Sequence, residues 1–292
     1  MTKAEHKPKV KERSEYKKIA KILIQELEAK SIEREELSRI LVLSLFAKTN
    51  VFLIGEPGIG KTYLISKLIK SVKDAKFFEY LIMHHTPPED IFGTHIVDQK
   101  TGKMVHHYQE SVLDSDFVFL DEIFKGNSTI LNTLLGIANE RRFYLRGYGS
   151  FTVPLISLYA ASNELPQDPS LDALDDRFVI RYEVFRIKEP HNYVRYLRGE
   201  YDKSDTFSIA LYKHDIEVVF NMALESIEIP DDIIDFLSML RKELAKSRIQ
   251  VSDRRINFVL NILKVSAFLN DRDYVDYSDL LILRHIYVEK FC

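Results

Sequence analysis

Residues 55–62 read GEPGIGKT, a complete G-x-x-x-x-G-K-[ST], and a loop of that composition is built to hold phosphate. Gly55, Gly58 and Gly60 let the backbone curl so that N–H groups point at phosphate oxygens, and a helix starting directly after the loop adds the positive end of its dipole. Glu56, Pro57 and Ile59 fill the variable positions, and Tyr63 carries the segment into the helix. Lys61 would reach the β- and γ-phosphates, and Thr62 would offer its hydroxyl to Mg²⁺. The expected ligand of residues 55–63 is ATP with Mg²⁺.

Residues 117–122 read FVFLDE, an apolar run ending in two carboxylates. Asp121 would hold Mg²⁺, directly or through water, and Glu122 would polarise the water that attacks the γ-phosphate. Residues 158–164 read LYAASNE, another apolar run, with Asn163 at its end. Its amide can orient water or donate to a γ-phosphate oxygen without adding charge; alternatively Ser162 and Asn163 cap the next element. Arg177 stands in DDRF, where an ion pair with Asp175 or Asp176 is the plain alternative to a catalytic use. Arg254 and Arg255 stand in VSDRR behind Ser252 and Asp253, either of which could cap a helix, and an ordinary surface arginine pair is the alternative there. His84, His85, His95, His106 and His107 fall close together but lack zinc-ligand spacing and a carboxylate partner, and read as polar loop.

These groups need elements to position them. Val51 to Ile54 is a short apolar run that predicts a buried parallel strand entering the loop. A helix is expected after it, with Leu64, Ile65, Leu68, Ile69 and Val72 on one side. Further strands are expected at 77–82, 117–120, 155–160 and 178–184, and a helix through Ile130, Leu131, Leu134, Leu135 and Ala138. Before the first strand, 17–47 carries a helical pattern. Together these predict an α/β fold of the P-loop NTPase type, a parallel five-stranded sheet sandwiched by helices. Past Glu189-Pro190 every segment reads as helix, including 253–270 and 277–290, with no convincing strand. The expected organisation is a basic arm and helix over 1–30, a nucleotide-binding αβ core over 31–188 and an all-helical lid over 189–292.

Composition narrows the classes. Of 292 residues, 46% are hydrophobic and 29% charged, ordinary for a soluble globular protein with its own core. A single cysteine, Cys292, excludes a disulfide framework and a thiolate metal site, and the chain reads as cytoplasmic. No run of 18 or more apolar residues suggests a membrane span. Net charge is −3; residues 1–21 carry eight Lys or Arg against three Glu, so that segment is +5 and the remainder −8. A solvated basic arm on an acidic body argues against nucleic acid as the main partner.

The ordered string GEPGIGKT, FEYLIMHHTPPEDIFG, VFLDEIFK, LNTLLGIANERRF, AASNELP, LDALDDRF and VSDRR resembles the MoxR family of AAA+ ATPases, with the RavA-like branch the best match, over about residues 30–290. The resemblance implies that 55–62 is Walker A, Asp121 and Glu122 Walker B, Asn163 sensor 1 and Arg177 the arginine finger acting on the neighbouring subunit's ATP. It implies that Arg254, or else Arg255, is sensor 2, reaching from the lid to the γ-phosphate, and that 84–112 is the pore-side helix-2 insert. It implies homohexameric rings and chaperone-like remodelling or assembly of partner proteins, often ones with von Willebrand A domains. RavA-like proteins continue past the lid, whereas this chain ends at Cys292. Two other classes fit a bare P-loop: a kinase transferring phosphate to a small acceptor, disfavoured by Asn163, Arg177 and a helical C-terminal third, and a nucleotide-gated scaffold, disfavoured by the intact Asp121–Glu122 pair.

Overall fold

The computed structural model describes residues 11–100, 102–145, 149–164, 177–247, 249 and 251–287. Two helices lead in, α1 (Arg13–Ala29) and α2 (Glu35–Phe46). The single helical stretch expected over 17–47 is thus broken, with Glu33 in the left-handed region at φ 57°. β1 (Val51–Ile54) and α3 (Lys61–Lys70) flank the phosphate loop. α3 ends sooner than its apolar spacing suggests, because Val72 belongs to a short strand, β2 (Val72–Lys73).

The strands β1, β3 (Phe77–Leu81), β6 (Phe117–Asp121), β9 (Ser157–Ser162) and β10 (Ile180–Glu183) form the main sheet. Its order is β10-β1-β9-β6-β3, and every pairing is parallel. The expected α/β fold is therefore present. Alternate residues of each strand serve opposite faces. Val51, Leu53, Phe117, Phe119, Tyr159 and Ala161 pack with α1, α2 and α3, while Phe52, Ile54, Val118, Leu120, Leu158 and Ala160 face α4 (Pro88–Phe92) and α5 (Ser128–Glu140). With both faces covered, the inner strands read as unbroken apolar runs. β9 begins and ends two residues later than expected, which carries it through Ser162 to the door of Asn163.

Two hairpins have no counterpart in the sequence reading: β4 (Thr94–Val97) with β5 (Met104–His107), and β7 (Arg142–Leu145) with β8 (Gly149–Thr152). Beyond the sheet come α6 (Pro190–Arg198), β11 (Leu211–Tyr212), α7 (Lys213–Ser226), α8 (Asp231–Lys246) and α9 (Asp253–Leu269). A 3-10 turn at Asp279–His285 follows. β11 corrects the expectation of helix alone after Glu189: it adds to β2 in parallel, Leu211 opposite Val72, where two residues are too few to leave a periodic signal. The helix expected over 277–290 is that 3-10 turn, and residues 288–292, Cys292 among them, lie outside the described residues. α7 and α9 share one core with α1, α2 and one sheet face, so these C-terminal helices are anchored to the sheet. Among the described residues no helix is long and apolar enough to cross a membrane.

Candidate nucleotide-binding site

Parallel register gathers the chemistry. Ile54 lies opposite Ser162, Leu120 opposite Ala160 and Leu81 opposite Asp121, so β1, β6 and β9 all deliver their last residues to one end of the sheet. The phosphate loop leaves β1 there. At Gly55 a Cβ would run into the Val184 carbonyl oxygen at the exit of β10, so only glycine fits. Gly60, at φ 85°, turns the backbone into the first turn of α3.

Lys61 is 6% exposed, and its ammonium folds back on the loop, donating to the Gly55 carbonyl, to the Glu56 carbonyl at 3.2 Å and to Asn163 Oδ1 at 2.6 Å. Burial lowers its pKa, against the opposing pull of Asp121 and Glu122. Asn163 Nδ2 in turn donates to Glu122 Oε1, and Glu122 Oε2 pairs with Lys125 at 3.3 Å. Glu122 is 8% exposed and held at φ 54°, a rare conformation for a carboxylate residue, which turns its side chain off the strand line toward Asn163. Thr62 Oγ1 donates to Asp121 Oδ2 at 3.4 Å, and Asp121 Oδ1 accepts the Glu122 N–H at 3.0 Å. The structure thus brings together Lys61, Thr62, Asp121, Glu122 and Asn163. Thr62 and Asp121 offer a hydroxyl and a carboxylate from two elements, the hard oxygen donors that Mg²⁺ takes.

Beside the loop opens a cleft of about 810 Å³, whose lining includes Ile32, Arg34, Gly58, Ile59, Tyr193 and Tyr196. Arg34 Nη2 donates to the carbonyls of Ile59 (3.3 Å) and Phe185 (2.7 Å), tying the loop to the exit of β10. Glu33 accepts the N–H groups of Lys188 and Glu189 and the amide of Asn192; slight burial raises its pKa, and these donors lower it further than burial raises it. Glu56 pairs with Arg186 across the mouth. Arg34 precedes α2, whereas the tyrosines of α6 and its flank come from far along the chain and have no local signature.

The opposite end of the sheet holds the other arginines. Val51 pairs with Ile180, and Arg177, three residues ahead of β10, lies level with Asn50, about 16 Å of strand away from its own phosphate loop. Its carbonyl accepts from Asn50 Nδ2 at 3.2 Å. Asp175 and Asp176 lie outside the described residues. Ser252 Oγ caps α9 by accepting the Arg255 N–H at 3.1 Å, as its spacing suggests. Arg255 is buried and donates to the Phe178 carbonyl at 3.1 Å, while Arg254 is exposed. The structure does not bring Arg254 or Arg255 to Lys61, Thr62, Asp121 or Glu122 of the same chain; the start of α9 sits beside Phe178, at the far end of the sheet. In the β4–β5 hairpin His95 faces His106 with ring centroids 4.9 Å apart, and His106 Nε2 bonds the Phe92 carbonyl. Among the described residues no cluster of histidine, cysteine and carboxylates suits a metal ion.

Two family descriptions match: "MoxR domain in the MoxR-vWA-beta-propeller ternary systems" over residues 17–206 and "AAA lid domain" over residues 232–290. Two uncharacterised proteins of Methanocaldococcus jannaschii are 36% and 35% identical over 267 and 266 residues, each covering 90% of this chain and 68% and 69% of their own lengths. Chaperone MoxR1 of Mycobacterium tuberculosis is 25% identical over 159 residues, 52% of this chain and 41% of its own. A crystal structure of a candidate ATPase from Cytophaga hutchinsonii superposes with a TM-score of 0.76 at 20% identity, covering 94% of this chain and 87% of that one, a likeness of fold. With a MoxR description over 190 consecutive residues and an AAA lid behind it, the chain belongs to the MoxR family of AAA+ ATPases.

Proposed function

We propose that this chain hydrolyses ATP at the end of the sheet where β1, β6 and β9 converge, and uses the cycle to remodel or assemble partner proteins from within a homohexameric ring. The observation that carries the reading is the continuous chain Lys61–Asn163–Glu122 beside Thr62–Asp121. Phosphates offer Lys61 stronger acceptors than the loop carbonyls it now holds. Glu122 is then the base that takes a proton from the attacking water, and Asn163 keeps its carboxylate aimed. Thr62 and Asp121 would hold Mg²⁺, which neutralises charge on the β- and γ-phosphates when bound. The base and ribose would lie in the cleft between Arg34 and the α6 tyrosines, with 31–188 acting as nucleotide core and 189–292 as lid.

Arg177 and Arg254 lie at the other end of the sheet from their own phosphate loop, which supports action on a neighbour's nucleotide: Arg177 as finger, Arg254 as sensor 2 in trans. Head-to-tail contacts of that kind are heterologous and close into rings when the rotation fits. Within the family, the motif string resembles the RavA-like branch, and the matched description of vWA and β-propeller systems supports a von Willebrand A domain partner. The reading places the chain in the cytoplasm. Steady phosphate release from Mg-ATP with no phosphoryl acceptor present is the test. ADP formed only with an added acceptor, the phosphoryl group ending on that acceptor and not as free phosphate, would indicate a kinase, and binding without turnover a scaffold.

A further inference from the structure

We propose that Asn50 and Arg255 are the mount of Arg177, two buried side chains that position the arginine for work on a neighbouring subunit's nucleotide. The proposal rests on Arg177 acting in trans. Adjacent carbonyls at the base of β10 are each held by one of them: Arg177 by Asn50 Nδ2 at 3.2 Å, Phe178 by Arg255 Nη2 at 3.1 Å. Asn50 is 5% exposed and all four of its amide hydrogen-bonding positions are filled. Nδ2 also donates to the Ala138 carbonyl at 3.3 Å, closing the end of α5; Oδ1 accepts the Leu158 N–H at 3.0 Å, fixing the start of β9, and Arg141 Nη2 at 3.4 Å. Arg141 is itself tied to the Ala138 and Ile156 carbonyls. One amide therefore sets the spacing of α5, β9 and the approach to β10.

Position gives the mount its meaning. Asn50 directly precedes β1, and β1 runs four residues to the phosphate loop. Arg255 opens α9, in the helical C-terminal part. The backbone that carries Arg177 is thus fastened to the strand that ends in the subunit's own nucleotide site and to its own lid. A displaced catalytic group loses rate steeply, about 10²-fold for about 1 Å.

Asn50→Asp keeps the acceptor toward Leu158 and Arg141 but replaces both N–H donors, so it cuts the bond to Arg177 while preserving shape. Expected alone is unchanged ATP affinity with turnover down about 10²-fold. Mixing experiments then place the defect. Paired with Lys61→Ala, Asn50→Asp should regain activity, since its sound phosphate loop meets a sound Arg177 at about a quarter of interfaces in a randomly mixed ring. Paired with Arg177→Ala it should regain none. Arg255→Lys, which lacks the guanidinium fork, should follow the same pattern and serves if Asn50→Asp does not fold. The reference pair is Arg177→Ala with Lys61→Ala: if it fails to rescue, Arg177 does not act in trans and the mount falls with it. If the reference pair rescues but Asn50→Asp with Lys61→Ala does not, or if Asn50→Asp turns over normally, Arg177 acts in trans without this mount.

Discussion

Asn163 uses both ends of its amide, accepting from Lys61 at 2.6 Å and donating to Glu122. A carboxylate with that partner has one orientation; without it, Lys125 alone would pull it toward the surface. Asn163→Ala should therefore lower turnover by about 10²-fold, the weight of one positioned donor, while ATP affinity stays within a few-fold. Parallel measurement of Kd and kcat checks this, and unchanged turnover would remove Asn163 from the site. Lys61, Thr62, Asp121 and Glu122 were legible because each closes a motif in which the residue types and the preceding apolar run agree. Asn163 was legible only as one of two readings, since an amide at a strand end also caps. Arg34, Glu33 and Arg186 were not legible at all. They work by reaching backbone or side-chain groups 25 to 159 residues away, and nothing beside them in the sequence marks that.

At the scale of elements, the turn from β1 into the loop is the tightest fit. A methyl group at Gly55 would meet the Val184 carbonyl, so Gly55→Ala should push the β1 and β10 exits apart. Destabilisation of about 1–3 kcal/mol, with weakened ATP binding, is expected in denaturant melts; a wild-type melt would contradict it. A second device is the strap 199–206 between α6 and β11. Lys30 on the end of α1 and Lys67 on α3 hold Asp202 and Asp205, whose carboxyls sit at about 2 rather than 3.8, through Lys30 at Asp202 and through Lys67 and Lys70 at Asp205. A folded-state pKa below the unfolded one adds stability that is present above the unfolded value and is lost as pH falls through the folded one. The strap should then hold fully above about pH 5 and loosen between about pH 4 and 2. The melting-temperature gap between wild type and the double variant Asp202→Asn, Asp205→Asn should narrow across that range, and a gap independent of pH would rule the strap out. The inner strands were readable because burial on both faces made them unbroken apolar runs. The hairpin β4–β5 was not, because its residues are mostly exposed on both faces and show no alternation.

At the scale of the whole molecule, the sheet has two working ends. One gathers Lys61, Thr62, Asp121, Glu122 and Asn163, the other holds Arg177 and Arg254, and the length of β1 separates them. Specific ATPase activity should accordingly rise with protein concentration, because a finger supplied in trans is worth roughly 10³–10⁵ in rate. Activity strictly linear in concentration from the dilute limit would mean each copy works alone. The helical character of the C-terminal part was visible in the shift of pattern after Glu189-Pro190, while its packing against α1 and α2 was not, since that depends on which helix faces meet. The claim on which function stands is that this end of the sheet turns over ATP through Glu122. The most direct measurement is ATP affinity and phosphate release for wild type and Glu122→Gln side by side. The variant should bind ATP as wild type does and release phosphate about 10²–10⁴-fold more slowly; phosphate release at the wild-type rate would show that Glu122 is not the base.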